Sequence, residues 1–240
     1  MTNKIKAYKK NYNYSYSSGA CATIELIKAR PEIVDAVHFH SSYRENDELK
    51  FLCESNSIRC IYSDRAFNSI NRKENSYVFG IFHKYASTLD PDQPHIVVVN
   101  PSDMGNLGTI IRTIAGLGIK NLAVIEPAAD IWNPKTIRAS MGALFHIQHE
   151  CFPSFDDYTT RHPDHRLFMF VLDGTLTLDN CPFCPRFSLV FGNEGGGLDE
   201  RYTYIGQSVK IPLIGHTDSY NLAVAVGIGA YAFARKNGLV

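Results

Sequence analysis

Phe187–Arg235 reads FSLVFGNEGGGLDERYTYIGQSVKIPLIGHTDSYNLAVAVGIGAYAFAR, and this stretch decides the fold. Ser188 to Phe191 is short and apolar, as a strand in the middle of a sheet should be. Gly192 ends it, and Asn193, Glu194 and the glycines at 195, 196 and 197 follow. Glycines after a strand allow positive φ and let backbone come close to a ligand. Ser208 to Pro212 reads as a second strand. Thr217, Asp218 and Ser219 are all able to cap a helix, which is expected from about Asn221 to Lys236 with Gly238 at its stop. Small residues recur four apart in it, Ala223 with Gly227 and Ala225 with Gly229, so another backbone can approach closely. The apolar run Leu222 to Ala234 is shorter than the roughly 20 residues a bilayer needs, so no membrane span is expected.

Outward from this stretch, the 240 residues suffice for one large or two small domains. The N-terminus, MTNKIKAYKKNYNYSYSSG, is polar and basic and has no apolar signal segment, which leads to the expectation of a soluble, cytoplasmic protein. The six cysteines are then expected as reduced thiols. Formal net charge is zero, which argues against a strongly basic, nonspecific nucleic-acid binder without excluding a local basic patch. Lys4, Lys6, Lys9 and Lys10 interleave with Tyr8, Tyr12, Tyr14 and Tyr16. That composition suits phosphate contact and base stacking, or equally a frayed tail.

From Ala20 onward, helical and strand patterns alternate: a helix over Ala20–Lys28, strands over Ile33–His40, Ile58–Tyr62 and Tyr77–His83, and helices over Asn46–Ser55 and from Asp64. His38 and His40 alternate on one strand without cysteine or carboxylate neighbours, a structural pattern more than a metal pair. Turn formers at Ala86–Pro94 suggest a linker. The chain therefore divides into residues 1–88, a small α/β domain, and residues 89–240. In the second part, strands are expected at His95–Val99, Asn121–Ile125, Phe145–His149 and Leu167–Leu172, with helices after Asn106 and from Pro134. Five or so strands separated by helices predict a parallel sheet covered on both faces, with its ligand site at the strand C-terminal ends.

Three loops rich in glycine, asparagine and caps follow strands and are expected to converge there: Asn100–Gly108, Gly192–Gly197 and Leu213–Asn221. Arg112 follows the first. By spacing alone it suits either an anion or a surface salt bridge. The glycine spacings fit neither a dinucleotide fingerprint nor a P-loop. Cys181 and Cys184 form a lone C-x-x-C that no second pair completes into a zinc site, and no metal is expected.

NPSDMGNLGTIIRTIAGLG (Asn100–Gly118), LVFGNEGGGL (Leu189–Leu198) and IPLIGHTDSYNLAVAVGIGAYAF (Ile211–Phe233) resemble, in order and spacing, the three motifs of the SpoU/TrmH-type RNA ribose methyltransferases of the SPOUT superfamily. WNPKTIRASMGALFHI (Trp132–Ile147) is also similar to that family. Residues Ser18 to Tyr85 resemble the substrate-binding domain often found in front of it. The resemblance implies an α/β fold: a parallel-sheet SPOUT domain with a C-terminal trefoil knot, preceded by a small α/β substrate-binding domain. It also implies S-adenosyl-L-methionine as cofactor, rRNA or tRNA as partner, and a homodimer packed through the knotted region. Carried over, the motifs place Asn106, Arg112, Glu194, Ser219 and Asn221 in catalytic or substrate-facing roles. The cofactor would lie against Gly192, Ile211, Leu213 and Tyr220, with Val171, Leu172 and Gly174 on the adenine side. Tyr220 stands where the family usually has leucine. The implied reaction is methyl transfer to a ribose 2′-hydroxyl with the arginine as activating group; because arginine stays protonated, Arg112 is expected to stabilise the developing alkoxide and the adjacent phosphate instead. The alternatives are an RNA-binding module without activity and a base methyltransferase of the same fold.

Overall fold

The tyrosine-rich N-terminal segment, for which a frayed tail is one of two readings, contains a strand. In the computed structural model, which describes residues 5–44, 47–70 and 76–240, the first elements are β1 (Tyr14–Ser18), α1 (Ala20–Ala29), β2 (Val34–Phe39), α2 (Asp47–Ser55), β3 (Arg59–Tyr62), α3 (Asp64–Ile70) and β4 (Val78–His83). They build a sheet in the order β1-β4-β2-β3, with β4 antiparallel to β1 and β2, and β2 parallel to β3. The pattern YSYSS carries no aliphatic residue, so its period-2 signal is faint. Pairing with β4 supplies what composition does not. Tyr16 is 1% exposed in the core, and the Ser17 hydroxyl accepts from the Gly80 N–H at 3.1 Å. The residues before β1 are also held: the Tyr16 hydroxyl donates to the Lys6 carbonyl and the Tyr8 hydroxyl to the Asp130 carboxylate. Lys4 and the expected helix start at Asn46 lie outside the described residues.

The chain continues through β5 (His95–Val99), α4 (Met104–Gly116), β6 (Asn121–Ile125), α5 (Pro134–Ala139), β7 (Gln148–Phe152), α6 (Phe155–Arg161), β8 (Arg166–Phe170), β9 (Leu176–Thr177), β10 (Phe187–Phe191), α7 (Glu200–Thr203), β11 (Gln207–Lys210) and α8 (Leu222–Lys236). Two compact units result. One is Met1–Tyr85 with Asp130–His146; the other is Ala86–Ala129 with Ile147–Val240. A single cut between residues 88 and 89 does not describe this division, because the segment bearing α5 returns to the first unit. Contacts explain the return: the Ser15 hydroxyl donates to the Trp132 carbonyl, and Phe82 meets the ring of Phe145 edge-on at 5.2 Å. A linear reading sees only that Trp132–Ile147 follows a strand of the second unit.

The second unit is a seven-stranded sheet in the order β7-β6-β5-β10-β8-β11-β9, parallel at every pairing. The runs HIVVV, NLAVI and FSLVF become β5, β6 and β10, each buried at every position. Continuous apolar runs are what a strand covered on both faces requires. The strand expected at Phe145–His149 starts later, at Gln148, because Ala143–His146 forms a 3₁₀ turn. Helix α6 had no sequence signal beyond its cap: the Ser154 hydroxyl accepts from the Asp157 N–H at 3.1 Å. Helix α8 lies on the sheet through Gly229. A Cβ there would sit 2.7 Å from Phe170 Cζ, beneath the stacked pair Phe170–Phe191 at 4.3 Å. Among the described residues, no helix is long and apolar enough to cross a membrane.

Candidate active site

The three loops named from sequence meet at the C-terminal ends of β5, β10 and β11, and Glu194 is their hub. Its Oε2 accepts from the Ser102 N–H at 3.0 Å and from the Ser102 hydroxyl at 2.9 Å. Its Oε1 accepts from the Asp103 N–H at 3.1 Å and from Asn106 Nδ2 at 3.2 Å. Asn106 Oδ1 in turn accepts from Asn221 Nδ2 at 3.0 Å. One carboxylate and two amides thus join all three loops. Two of the three loops are fixed by a helix cap as well. Asp103 caps α4 by accepting from the Asn106 N–H at 2.7 Å, and Asn221 caps α8 by accepting from the Ala223 N–H at 2.9 Å. Burial raises the pKa of Glu194, but the donors from Ser102 and Asp103 and its own N–H overcome this and hold the carboxyl down at about 2.

Two residues outside the expected set complete the junction. Asn193 Nδ2 donates to the Asn100 carbonyl at 2.7 Å, tying the end of β10 to the end of β5. Asn100 itself has a left-handed φ of 53°, a conformation asparagine tolerates better than most residues. Ser102 supplies two of the bonds on Glu194. The sequence signal for both was their place in loops after strands; only pairing across about 90 positions of chain shows what they hold.

Beside this junction lies a cavity of about 640 Å³, within the range of small-molecule sites. Val171, Leu172, Gly192, Ile211, Leu213 and Tyr220, six of the seven positions named for the cofactor, line it together with Glu194 and Ser219. Gly174 does not. A Cβ at Gly174 would come 2.4 Å from the Val209 carbonyl carbon, so this glycine serves the close passage of backbone against β11. Gly192, which does line the cavity, faces the same restriction: a Cβ would fall 1.9 Å from the Gly197 carbonyl carbon and 2.2 Å from the Leu198 nitrogen. The loop closes over itself there, with the Asn193 and Gly197 N–H groups each donating to the other's carbonyl. Tyr220 does not crowd the cavity as a free ring. Its hydroxyl donates to the Pro212 carbonyl at 3.1 Å, bracing the two ends of its loop.

Arg112 stands apart from this geometry. It is exposed, lines no part of the cavity, and among the described residues has no hydrogen-bond or ion-pair partner, so the salt-bridge reading falls away. Helix α4 begins at Met104 under the Asp103 cap, not under Asn106. Six residues of helix turn Arg112 about 240° away from Asn106 and carry it about 9 Å along the axis.

The sequence model described as the SpoU rRNA Methylase family matches residues 93–231, most of the cavity-bearing unit and more than half of the chain. The chain belongs to the SpoU rRNA methylase family. Within it, the chain is similar to 23S rRNA (guanosine(2553)-2′-O)-methyltransferase RlmP of Bacillus subtilis (strain 168), with 28% identity over 179 residues, 72% of each protein. It is also similar to the 23S rRNA (uridine(2479)-2′-O)-methyltransferase of Streptomyces viridochromogenes, with 33% identity over 144 residues. That match takes in 57% of this chain and 50% of that relative, so it spans half of the relative's length. In fold, the chain resembles the SpoU methyltransferase AviRb from Streptomyces viridochromogenes, with a TM-score of 0.81 at 22% identity over 93% of this chain and 90% of that one.

Proposed function

We propose that the protein is an S-adenosyl-L-methionine-dependent RNA methyltransferase acting on a ribose 2′-hydroxyl of rRNA or tRNA. The observation that carries this reading is the Glu194–Asn106–Asn221 junction of three loops beside a cavity of cofactor size. The curated relatives named above are 2′-O-methyltransferases of rRNA, and a neighbouring fold is that of AviRb in complex with the cofactor AdoMet, at 23% identity. The cavity's own chemistry fits such a group. Apolar walls from Val171, Leu172, Ile211 and Leu213 suit an adenine ring, and the carboxylates of Glu194 and Asp218 at its lining suit a sulfonium cation.

When bound, the cofactor supplies an electrophilic methyl group. The chain's residues supply everything else. A ribose hydroxyl is a poor nucleophile at neutral pH, so the site must hold it in line and favour its deprotonated form. Glu194, ionised across the physiological range, fixes the amide planes of Asn106 and Asn221, and these with Ser219 orient the sugar. Arg112, permanently charged and unpaired, stabilises the developing alkoxide and the adjacent phosphate. Within one chain it turns away from the junction, which supports a homodimer in which a second copy brings it in. The exposed apolar side of α8, with Val224 at 49% and Tyr231 at 50% exposure, is the surface we assign to that contact. The insertion of β10 between β5 and β8, with α8 returning against α4 and β10, supports the threaded C-terminal segment implied by the motifs. We place the enzyme in the cytoplasm, with its RNA.

Charge supports the RNA assignment. The neutral total hides a division: the first unit carries fifteen Lys and Arg against ten Asp and Glu, formally +5, and the second nine against fourteen, −5. The basic unit is the one we propose to grip RNA. The test is transfer of labelled methyl from the cofactor to RNA, followed by nuclease mapping of the product. A 2′-O-methyl nucleotide is expected. Label on a base would select the base-methylating alternative, and binding without transfer would select the RNA-binding module.

A further inference from the structure

At the N-terminal ends of the parallel strands, opposite the cavity, lies a buried group of three histidines: His95 at the start of β5, His162 after α6, and His165 just before β8. Their nearest ring nitrogens all fall within 4.8 Å of one another. Two of them are the ends of a continuous hydrogen-bonded chain. His95 Nε2 meets the Asp90 carbonyl at 2.8 Å, and its Nδ1 meets the Tyr158 hydroxyl at 2.9 Å. That hydroxyl lies 2.6 Å from the Ser188 hydroxyl. Ser188 Oγ lies 2.9 Å from His165 Nδ1, and His165 Nε2 meets the Pro91 carbonyl at 2.8 Å. Both ends of the chain therefore terminate on neighbouring carbonyls of one turn, the segment that leads into β5.

Counting protons along this chain gives an unequal result. There are five contacts. Neutral groups supply only four protons, one from each imidazole and one from each hydroxyl. Carbonyls accept and never donate, so both Nε2 atoms carry their protons outward. The Tyr158 and Ser188 protons then go to the two Nδ1 atoms, and the short oxygen–oxygen contact between them has none. One further proton on His165 Nδ1 resolves this. His165 then donates to Ser188, Ser188 to Tyr158, and Tyr158 to His95, so that every contact is filled in one direction.

We propose that this chain is a built-in proton site: His165 takes up one proton from solvent with the fold intact, and that proton completes the link from the turn at Asp90–Pro91 through β10 and α6 to β5. Burial opposes the charge and lowers the pKa of His165, as it does for His95 and His162. The Pro91 and Phe187 carbonyls and the Asp164 carboxylate favour the charge on His165, and Arg186 opposes it. His95 is held far lower, at about 3, by burial and by its histidine neighbours despite the Asp90 carbonyl. Around His162, burial comes first, with His165 and Arg161 opposing a proton and Glu150 favouring one. The phenol of Tyr158 is pushed up by burial and stays neutral. A metal fits the group poorly. Each ring nitrogen of His95 and His165 already has a partner, and only those of His162 are buried without one.

The sign follows from these directions. Between the ordinary histidine pKa and the lowered value of His165, the unfolded chain binds the proton and the folded chain does not. Stability therefore falls as pH drops through that interval and levels off for His165 once the folded site has filled. The experiment is a ¹⁵N titration of the histidine rings in the full-length protein, in the wild type and in Tyr158→Phe and Ser188→Ala. Either variant removes two contacts and one proton, leaving three contacts and three protons, so the extra proton no longer fills a gap. The expected result is that His165 becomes doubly protonated in the folded wild type before His95 or His162, and that its pKa is lower in both variants. Failure of His165 to titrate before acid unfolding would overturn the proposal in the wild type alone. An unchanged pKa in a folded variant would do the same, as would stabilisation by added zinc that chelator reverses. None of these readouts depends on methyl transfer.

Discussion

Glu194 is the residue on which the candidate site turns. Its carboxyl is depressed from the ordinary 4.5 to about 2. A depressed carboxyl contributes stability above its unfolded pKa and loses it as pH falls through the folded value. The junction should therefore be intact above about pH 4.5 and come apart toward pH 2, seen as a change in the Ser102 and Asp103 amide resonances over that window. Replacing Glu194 with glutamine should blunt cofactor affinity and methyl transfer together, because a neutral amide cannot satisfy the converging donors; calorimetry and the transfer assay report each. For Arg112→Ala, transfer should be abolished with cofactor binding largely kept. Near-normal turnover in that variant would remove the role assigned to it. Gly192→Val acts on the protein itself: the Cβ meets loop backbone rather than the cavity. The expected effect is a loss of fold stability of about 1–3 kcal/mol, the usual range for forced overpacking, visible as a lower Tm even without cofactor.

Two helices carry the site, and their caps couple fold to chemistry. Asn221 uses Oδ1 to cap α8 and Nδ2 to hold Asn106. These duties can be separated. Asn221→Ala should cost about 1 kcal/mol of stability through the lost cap, whereas Asn221→Asp keeps a capping oxygen but puts an acceptor-only oxygen where the donor to Asn106 Oδ1 stood. The aspartate variant is expected to melt near the wild type and to transfer methyl groups poorly; normal activity in it would show that the link to Asn106 is dispensable. Glycine and alanine spacing announced the close packing of α8 from sequence alone. Its neighbours on the sheet, Phe170 and Phe191, come from strands far apart in the chain and became known only when β8 and β10 were paired.

For the whole molecule, the opposed charges of the two units predict where RNA binds. Phosphate contacts release counterions, so affinity should fall with salt on a log–log line whose slope counts them. Changing Arg44 and Lys135, exposed on the first unit, to glutamate should weaken binding and flatten that slope. The same change at Lys120 of the second unit should do neither. Equal effects from both sets would remove the assignment of RNA to the basic unit.

What the sequence by itself determined were the features local in the chain: buried parallel strands from continuous apolar runs, loops after them from glycines and caps, and the family from three ordered motifs. Loops at the strand C-terminal ends of a parallel sheet converge, which led to three loops in one place; the resemblance singled out Glu194, Asn106 and Asn221 within them. What only the tertiary structure decided involved partners distant in sequence. The return of Asp130–His146 to the first unit, the bracing by Asn193 and Ser102, the outward turn of Arg112 and the chain of histidine and hydroxyl contacts all belong to this kind. So does β1, whose serines and tyrosines become a strand because β4 offers them an edge. Periodicity records which face of an element is buried. It does not record what that face meets, since hydrogen bonds and close packing are set by through-space distance.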